Sequence, residues 1–409
     1  MLFKRKLLAG IKSFIDTTDI IVIHGARQTG KTSLMKIIQD DLSKEKCIYF
    51  DLEDSRYKAL FEEGIESVIN YLKQKGLFNQ NDKTFLFVDE IQYLSNPSSF
   101  LKLTHDHHPG IKLIVSGSSS FEVKTKFKDT LVGRTVNFEL FPLDFEEFLY
   151  FKKESFNLRQ RISSDILMGE LLKFYKEYVL FGGYPKIVLT DQIEMKEKYL
   201  QQIIDTYIKG DIRDLANIRH IDKFNKLIHV LAGQTGQLLN VMELANTTKI
   251  ARQTIEDYLF ILEQTYIVKL IPPFSGNIRS ELFKTPKVFF YDTGLMHMLS
   301  KKQLPLSITG PTFETAVFSD LVKNFGQNNI HYWRTMDKKE IDFILSWKDK
   351  NIPIEVKLNS VRLNLTPIKY FSRKYNPENA YCVSLEGELP KKDFTVKQMF
   401  PWDIYSEFS

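Results

Sequence analysis

Apolar residues follow two rhythms along this chain, and the change of rhythm divides it. In the first third, short runs that are apolar on successive positions alternate with stretches apolar every three to four residues. Ile20–Ile23 is a β-branched run, followed by a glycine loop and a helix-period segment from about Lys31 to Leu42. Cys47–Leu52 is the next strand candidate, and Leu60, Ile65, Val68 and Leu72 carry a helix pattern after it. Phe85–Val88, Ile111–Val115 and Val136–Leu140 complete a set of five. Phe85–Val88, apolar at every position, suits a strand covered on both faces, and the alternation of the five candidates with helices predicts a parallel, doubly wound α/β sheet. Pro142 closely follows the last run and marks an exit from that sheet.

From about Leu143 to Ile218 the pattern is helical, interrupted at Phe181-Gly182-Gly183-Tyr184-Pro185, where two glycines before an aromatic and a proline break a helix. Residues Lys223 to Asp292 read as three helices and a hairpin. From about Thr312 a mixed pattern returns: a helix, three strands, a helix and a strand. No internal repeat or low-complexity tract is visible.

Composition narrows the class. A chain of 409 residues, 43% hydrophobic, has room for two or three packed domains. Its two cysteines, Cys47 and Cys382, each sit in a strand-like run, which argues against a disulfide scaffold or a cysteine-ligated zinc. Basic residues number 56 against 51 acidic, a formal charge of +5 that is compatible with nucleic acid without demanding it. No apolar stretch approaches the ~20 residues that span a bilayer. The N-terminal MLFKRKLLAGIKSFI is basic but has no long apolar core or small-residue cleavage site, so it is not read as a secretory signal. The expectation is a soluble, cytoplasmic, multidomain protein with no membrane partner.

Between the first strand and its helix, Gly25-Ala26-Arg27-Gln28-Thr29-Gly30-Lys31-Thr32 fits G-x-x-x-x-G-K-[ST], with Ser33 next in the helix. Glycines let backbone N–H groups turn inward around phosphates, and the helix N-terminus adds its positive end. Lys31 is expected to neutralise the β- and γ-phosphates and the Thr32 hydroxyl to ligate Mg²⁺. Phe85-Leu-Phe-Val-Asp89-Glu90 supplies the second half: a buried strand delivers Asp89 to the magnesium shell and Glu90 to polarise the attacking water. ATP and Mg²⁺ are the expected ligands.

One strand candidate lies between the P-loop and the acidic pair, and another follows it. This order resembles the additional-strand P-loop ATPases, which include the AAA+ and STAND groups. The resemblance implies that a polar residue ending the next strand senses the γ-phosphate. Leu113-Ile-Val-Ser116-Gly-Ser118 places hydroxyls there, with Ser118 or Ser116 as the sensor, or else as a helix cap. Arg27 can reach a phosphate or an adjacent acid. Arg134, before the fifth strand, is a candidate sensor or a finger acting in trans, which would require a homo-oligomer. For either arginine a solvated surface role is the plainer alternative.

Val241–Glu263 reads as a helix-turn-helix, with Leu244, Ala245, Ile250, Ile255, Leu259 and Leu262 facing inward. Lys269–Phe274 and Val288–Tyr291 add the hairpin of a winged helix. Arg252, Gln253 and Thr254 open the second helix and would face the bases of a major groove. Arg279, Lys284 and Lys287 would add phosphate contacts from the wing. Glu256 and Asp257 weaken the positive field there, and winged helices also serve as protein contacts.

Near the C-terminus, a helix carries Glu314, one strand carries Asp342, and Ile352-Pro-Ile-Glu355-Val-Lys357 puts Glu355 and Lys357 on one face. The order resembles the PD-(D/E)xK nuclease core. The resemblance implies that Asp342 and Glu355 join around Mg²⁺ with Lys357 orienting a water, Glu314 being the helical acid. Ordinary strand-edge charges are the alternative.

GARQTGKT, FLFVDEIQ, VSGSSS, FGGYP, KTPKVFFYDTGL and WR…EIDF…IEVK together resemble the prokaryotic AAA+-type ATPases that carry a C-terminal domain of unknown function. What this implies is an α/β P-loop ATPase core over 1–142, a helical lid or linker over 143–222, a winged helix over 223–300 and a PD-(D/E)xK-like domain over 301–409. The expected activity is ATP hydrolysis with Mg²⁺ coupled to a DNA-directed task, extending to metal-dependent DNA cleavage. The alternative is a STAND-like nucleotide-gated switch acting on a protein partner, with an inactive nuclease-like domain.

Overall fold

The computed structural model describes residues 2–43, 45–79, 83–117, 131–207, 221–274, 285–389 and 396–408. The chain forms two compact units, the first comprising Met1–Phe141 with Gln264–Tyr266, the second the remainder.

The first unit is built on a parallel sheet of β1 (Ile20–His24), β2 (Lys46–Asp51), β3 (Thr84–Asp89), β4 (Ile111–Gly117) and β5 (Thr135–Glu139). Their order is β2-β3-β4-β1-β5. β1, β3 and β4 are buried along their whole length, as the apolar runs Ile20–Ile23 and Phe85–Val88 require, and in β4 the burial includes Lys112. Alternate residues feed two cores. Val22, Leu86, Val88, Leu113 and Val115 pack on one face, and Ile21, Ile23, Phe85, Phe87 and Ile114 on the other, under the helix Lys31–Asp41. This order brings the C-terminal ends of β1, β4 and β3 side by side, so the loops after them share one edge.

The second unit opens with helices Phe145–Phe151, Asp165–Phe181 and Ile193–Tyr207. The FGGYP break has a packing cause. A Cβ on Gly182 would lie 2.3 Å from Asp292 Oδ1, and one on Gly183 2.2 Å from the Leu143 carbonyl oxygen. Buried Asp292 accepts the Gly183 N–H at 2.7 Å and the Leu295 N–H at 2.8 Å. Gly182 therefore admits the carboxylate of the YDTG segment, and Gly183 the close approach of the Leu143 backbone.

Helices Ile221–Gly233, Val241–Thr248 and Arg252–Gln264 follow, then an antiparallel pair, β6 (Val268–Ile271) and β7 (Lys287–Phe290). A mixed sheet has the order β12-β11-β10-β9-β8, from β8 (Ile330–Arg334), β9 (Glu340–Trp347), β10 (Lys350–Asn359), β11 (Ala380–Glu386) and β12 (Val396–Met399). The helix Gly310–Phe325 packs on it through Phe318, which meets Phe343, and the helix Leu365–Tyr375 through Phe371, which meets Trp333. The chain leaving β6 docks on the edge strand β8: Phe274 N–H donates to the Tyr332 carbonyl at 2.6 Å, and Tyr332 N–H to the Pro272 carbonyl at 3.2 Å. Apart from Gln264–Tyr266, residues 223–300 thus lie within one compact unit with the C-terminal sheet. Among the described residues, no helix is long and apolar enough to cross a membrane.

Candidate functional site

β1 ends at His24, and the chain turns through Gly25–Gly30 into the helix Lys31–Asp41. A Cβ on Gly25 would lie 2.1 Å from the Leu140 carbonyl oxygen, while Gly30 has φ +100°, so the loop needs both glycines. Thr29 Oγ1 donates to the Ala26 carbonyl at 2.9 Å, drawing the turn onto itself. Lys31 is buried, and its Nζ donates to the carbonyls of Gly25 at 3.0 Å and Ala26 at 2.9 Å. Thr32 and Ser33 stand exposed in the first helical turn, where the dipole favours an anion.

Asp89, buried at the end of β3, gathers hydroxyls from three elements. Its Oδ2 accepts Thr32 Oγ1 at 2.6 Å and the Tyr49 phenol at 2.5 Å, and its Oδ1 accepts Ser116 Oγ. Glu90 follows in a left-handed conformation, φ 57°. Its N–H donates to Ser116 Oγ at 3.3 Å, and its carboxylate accepts from the Gln92 amide. A threonine hydroxyl touching a buried carboxylate beside the P-loop is a hard-oxygen donor set that fits Mg²⁺. Arg27 faces the acids of this edge: it hydrogen-bonds Tyr93 and pulls down the pKa of Glu53, which burial and Glu90 raise.

The sheet polarity corrects one expectation. β5 begins at Thr135, beside Ile20 at the start of β1, whereas the P-loop leaves the other end of β1. Arg134 therefore stands at the opposite edge of the sheet from the P-loop and cannot sense a phosphate within its own chain. Its guanidinium is bound to Asp106 at 2.7 and 3.1 Å. Ser118 lies outside the described residues, as do Arg279 and Lys284. Ser116 is the hydroxyl found at Asp89.

In the second unit the structure brings Glu314, Asp342, Glu355 and Lys357 together, but around amines. Lys357 Nζ lies 2.9 Å from Asp342 and 2.7 Å from Glu355. Lys287, expected on a wing facing phosphate, is instead buried, 2.6 Å from Glu340 and 3.5 Å from Glu314. Arg334 also holds Glu340, at 2.7 Å. Burial and the neighbouring Asp342 raise the Glu314 carboxyl to about 8 and push Glu355 well up as well. For Asp342, burial is outweighed by Lys357 and Lys287, which hold it low. Acids already met by cations, or disposed to keep a proton, offer a divalent ion little net charge. Among the described residues no group of three His, Cys, Asp or Glu side chains is arranged to hold a metal. Asp342 and Glu355, expected to join around a metal with Lys357 beside them, are both ion-paired with Lys357.

Residues 17–149 match the AAA domain family. Residues 172–306 and 309–405 match two domains of unknown function, DUF8612 and DUF4143. The uncharacterized protein MJ1544 of Methanocaldococcus jannaschii is 30% identical over 340 residues, 81% of this chain and 73% of that protein. The chain belongs to the MJ1544 family of AAA-domain proteins. An uncharacterized protein of Haemophilus influenzae is 26% identical over 367 residues, covering 87% of this chain and 86% of its own. Among solved structures, the walker-type ATPase PABY2304 of Pyrococcus abyssi aligns over 73% of this chain and 96% of its own, at 13% identity and a TM-score of 0.45. The N-terminal unit thus carries an AAA domain.

Two groups in the first unit escaped the sequence reading. Arg5 is buried, with Nη1 donating to the Thr29 carbonyl at 2.8 Å and Nη2 to that of Phe141 at 2.8 Å, so it clamps the P-loop. Its signal was the basic N-terminal patch. Tyr49 was hidden because nothing in its own strand marks it as a partner of Asp89. In the second unit, Arg252 and Gln253 are exposed at the start of their helix but are engaged by Glu256 at 2.8 Å and Asp257 at 3.1 Å. Thr254 is half-buried beside them.

Proposed function

We propose that this protein hydrolyses ATP with Mg²⁺ at the edge formed by the P-loop, Asp89 and Glu90. The observation that carries the reading is the direct contact of Thr32 with Asp89 beside Lys31. Residues Gly25–Ser33 hold the phosphates through backbone N–H groups and the helix N-terminus. Lys31 exchanges its two loop carbonyls for phosphate oxygens. Mg²⁺, when bound to Thr32 and through the Asp89 shell, supplies charge neutralisation at the transferring phosphoryl group. Glu90 orients and polarises the attacking water, with Gln92 fixing its carboxylate. Ser116 supports Asp89 and the backbone of Glu90, and Arg134 is left for a neighbour in a homo-oligomer.

DNA is the partner we propose for the output, engaged through the C-terminal region. From Leu358 to Pro377 there is no acidic residue, while Arg362, Lys369, Arg373 and Lys374 are all exposed. An acid-free basic face suits a phosphate backbone. The helix opening at Arg252, as the second helix of a winged helix, is a weaker candidate because its polar groups are already paired. The second reading is a nucleotide-gated switch acting on a protein partner, favoured by the burial of Lys287 and the lysine-balanced acids of the nuclease-like site.

Phosphate release from ATP, measured with and without DNA, tests this. Turnover lost in Glu90→Gln and stimulated by DNA supports the first reading. Turnover indifferent to DNA, with a nucleotide-dependent change of mass or shape in light scattering, selects the switch. No turnover in the unsubstituted protein overturns both.

A further inference from the structure

We propose that Tyr49 is a positioning residue for the magnesium-binding carboxylate, its phenol fixing Asp89 so that a single acceptor position faces the metal's shell. The inference rests on reading Gly25–Ser33 with Asp89 and Glu90 as a Mg²⁺–ATP site.

An ionised carboxylate offers about four lone-pair positions on its two oxygens. At Asp89 three are taken, by Thr32 at 2.6 Å, by Tyr49 at 2.5 Å and by Ser116. Among the described contacts one position, on Oδ1, remains. Thr32 and Ser116 have other duties. Thr32 opens the P-loop helix and can turn its oxygen lone pairs to a cation while still donating to Asp89. Ser116 also receives the Glu90 N–H. Tyr49 comes from β2, which carries no P-loop residue, and its hydroxyl meets the carboxylate and the Thr32 side chain bound to the same oxygen.

Register explains why the residue is a tyrosine. Tyr49 pairs with Phe87, and Asp51 with Asp89, so Tyr49 and Asp89 share a face of the sheet two positions apart. The phenol ring lies against Phe87, centroids 6.4 Å apart and 20° from parallel, which aims its hydroxyl along the strand to Asp89. A shorter side chain would not span that step. A group that hydrogen-bonds a metal's carboxylate ligand orients it, and losing such a group costs about 10- to 100-fold in metal affinity.

The test uses the full chain and a fluorescent, non-hydrolysable ATP analogue, titrated over a series of Mg²⁺ concentrations and in EDTA, for wild type and Tyr49→Phe. The substitution keeps the ring on Phe87 and removes the hydroxyl. We expect the Mg²⁺ concentration for half-maximal binding to rise about 10-fold, with the EDTA affinity and the melting temperature unchanged. An unchanged Mg²⁺ requirement overturns the proposal. So does an equal loss of affinity in EDTA, which would mean that Tyr49 shapes the loop and not the metal site. A wild-type protein that binds no nucleotide at any Mg²⁺ concentration overturns the ATP-site reading itself, and the proposal with it. That failure is recognisable because it appears without any substitution.

Discussion

The chain carries two buried clusters of acids, and their partners differ in kind. At the P-loop, Asp89 is met by the hydroxyls of Thr32, Tyr49 and Ser116, which hold the carboxylate without cancelling its charge. In the C-terminal sheet, Glu314, Glu340, Asp342 and Glu355 are met by Lys287, Lys357 and Arg334. Neutral donors leave an acid ready for a metal; ammonium groups occupy its place. Similar residue types thus meet hydroxyls in one unit, where we propose the Mg²⁺ site, and an internal network of ion pairs in the other. What decides is whether lysine reaches in.

Several substitutions break or sharpen this contrast. Glu90→Gln should lower turnover by about 10²- to 10⁴-fold with nucleotide binding retained, as read by phosphate release and analogue titration. Lys31→Ala should weaken nucleotide binding by at least ~30-fold, the cost of losing a desolvated charge contact. Lys287→Met should destabilise the folded chain by about 3–5 kcal/mol in denaturant melts, because Glu314 loses its ammonium neighbour and Glu340 keeps only Arg334. Recovery of that loss in millimolar Mg²⁺ would break the contrast, by showing that the freed acids take a metal.

A smaller effect concerns pH. Burial holds the Asp320 carboxyl up at about 7, against an ordinary value near 3.9. It accepts Tyr178 Oη at 2.9 Å inside the second unit. Between those values the folded chain keeps a proton that the unfolded chain releases. Its contribution is therefore full below about pH 4 and is lost as pH rises to about 7. Asp320→Asn should flatten that part of the stability–pH curve in urea titrations at pH 5 and pH 8. Smallest of all, Arg252→Ala should change DNA affinity by less than about threefold, while Lys369→Ala with Arg373→Ala should weaken it by more and reduce its salt dependence.

Much of the first unit is legible in sequence because its signals are local. Strand, loop, lysine and helix are consecutive from Ile20 to Asp41, and Phe85–Glu90 announces a buried strand ending in acids. Where the cause lies far along the chain, the pattern is silent. FGGYP reads as a helix breaker, yet Gly182 is required by Asp292, more than a hundred residues later, and Gly183 by the backbone of Leu143. Glu355 and Lys357 follow from period-2 geometry, but the entry of Lys287 into the same cluster depends on how β7 lies against the helix of Glu314. Arg134 looked catalytic in a linear reading because sequence does not say which edge of a sheet a residue occupies. Tyr49 and Arg5 were missed for a related reason: each acts through contacts made across the fold.

The contrast between the two acid clusters meets its most direct test in counting bound Mn²⁺ per chain by electron paramagnetic resonance, with a non-hydrolysable ATP analogue present. The account predicts one tightly bound ion, lost in Asp89→Ala and retained in Asp342→Ala. A second tight ion that disappears in Asp342→Ala would contradict it, and would make the C-terminal acids a metal site after all.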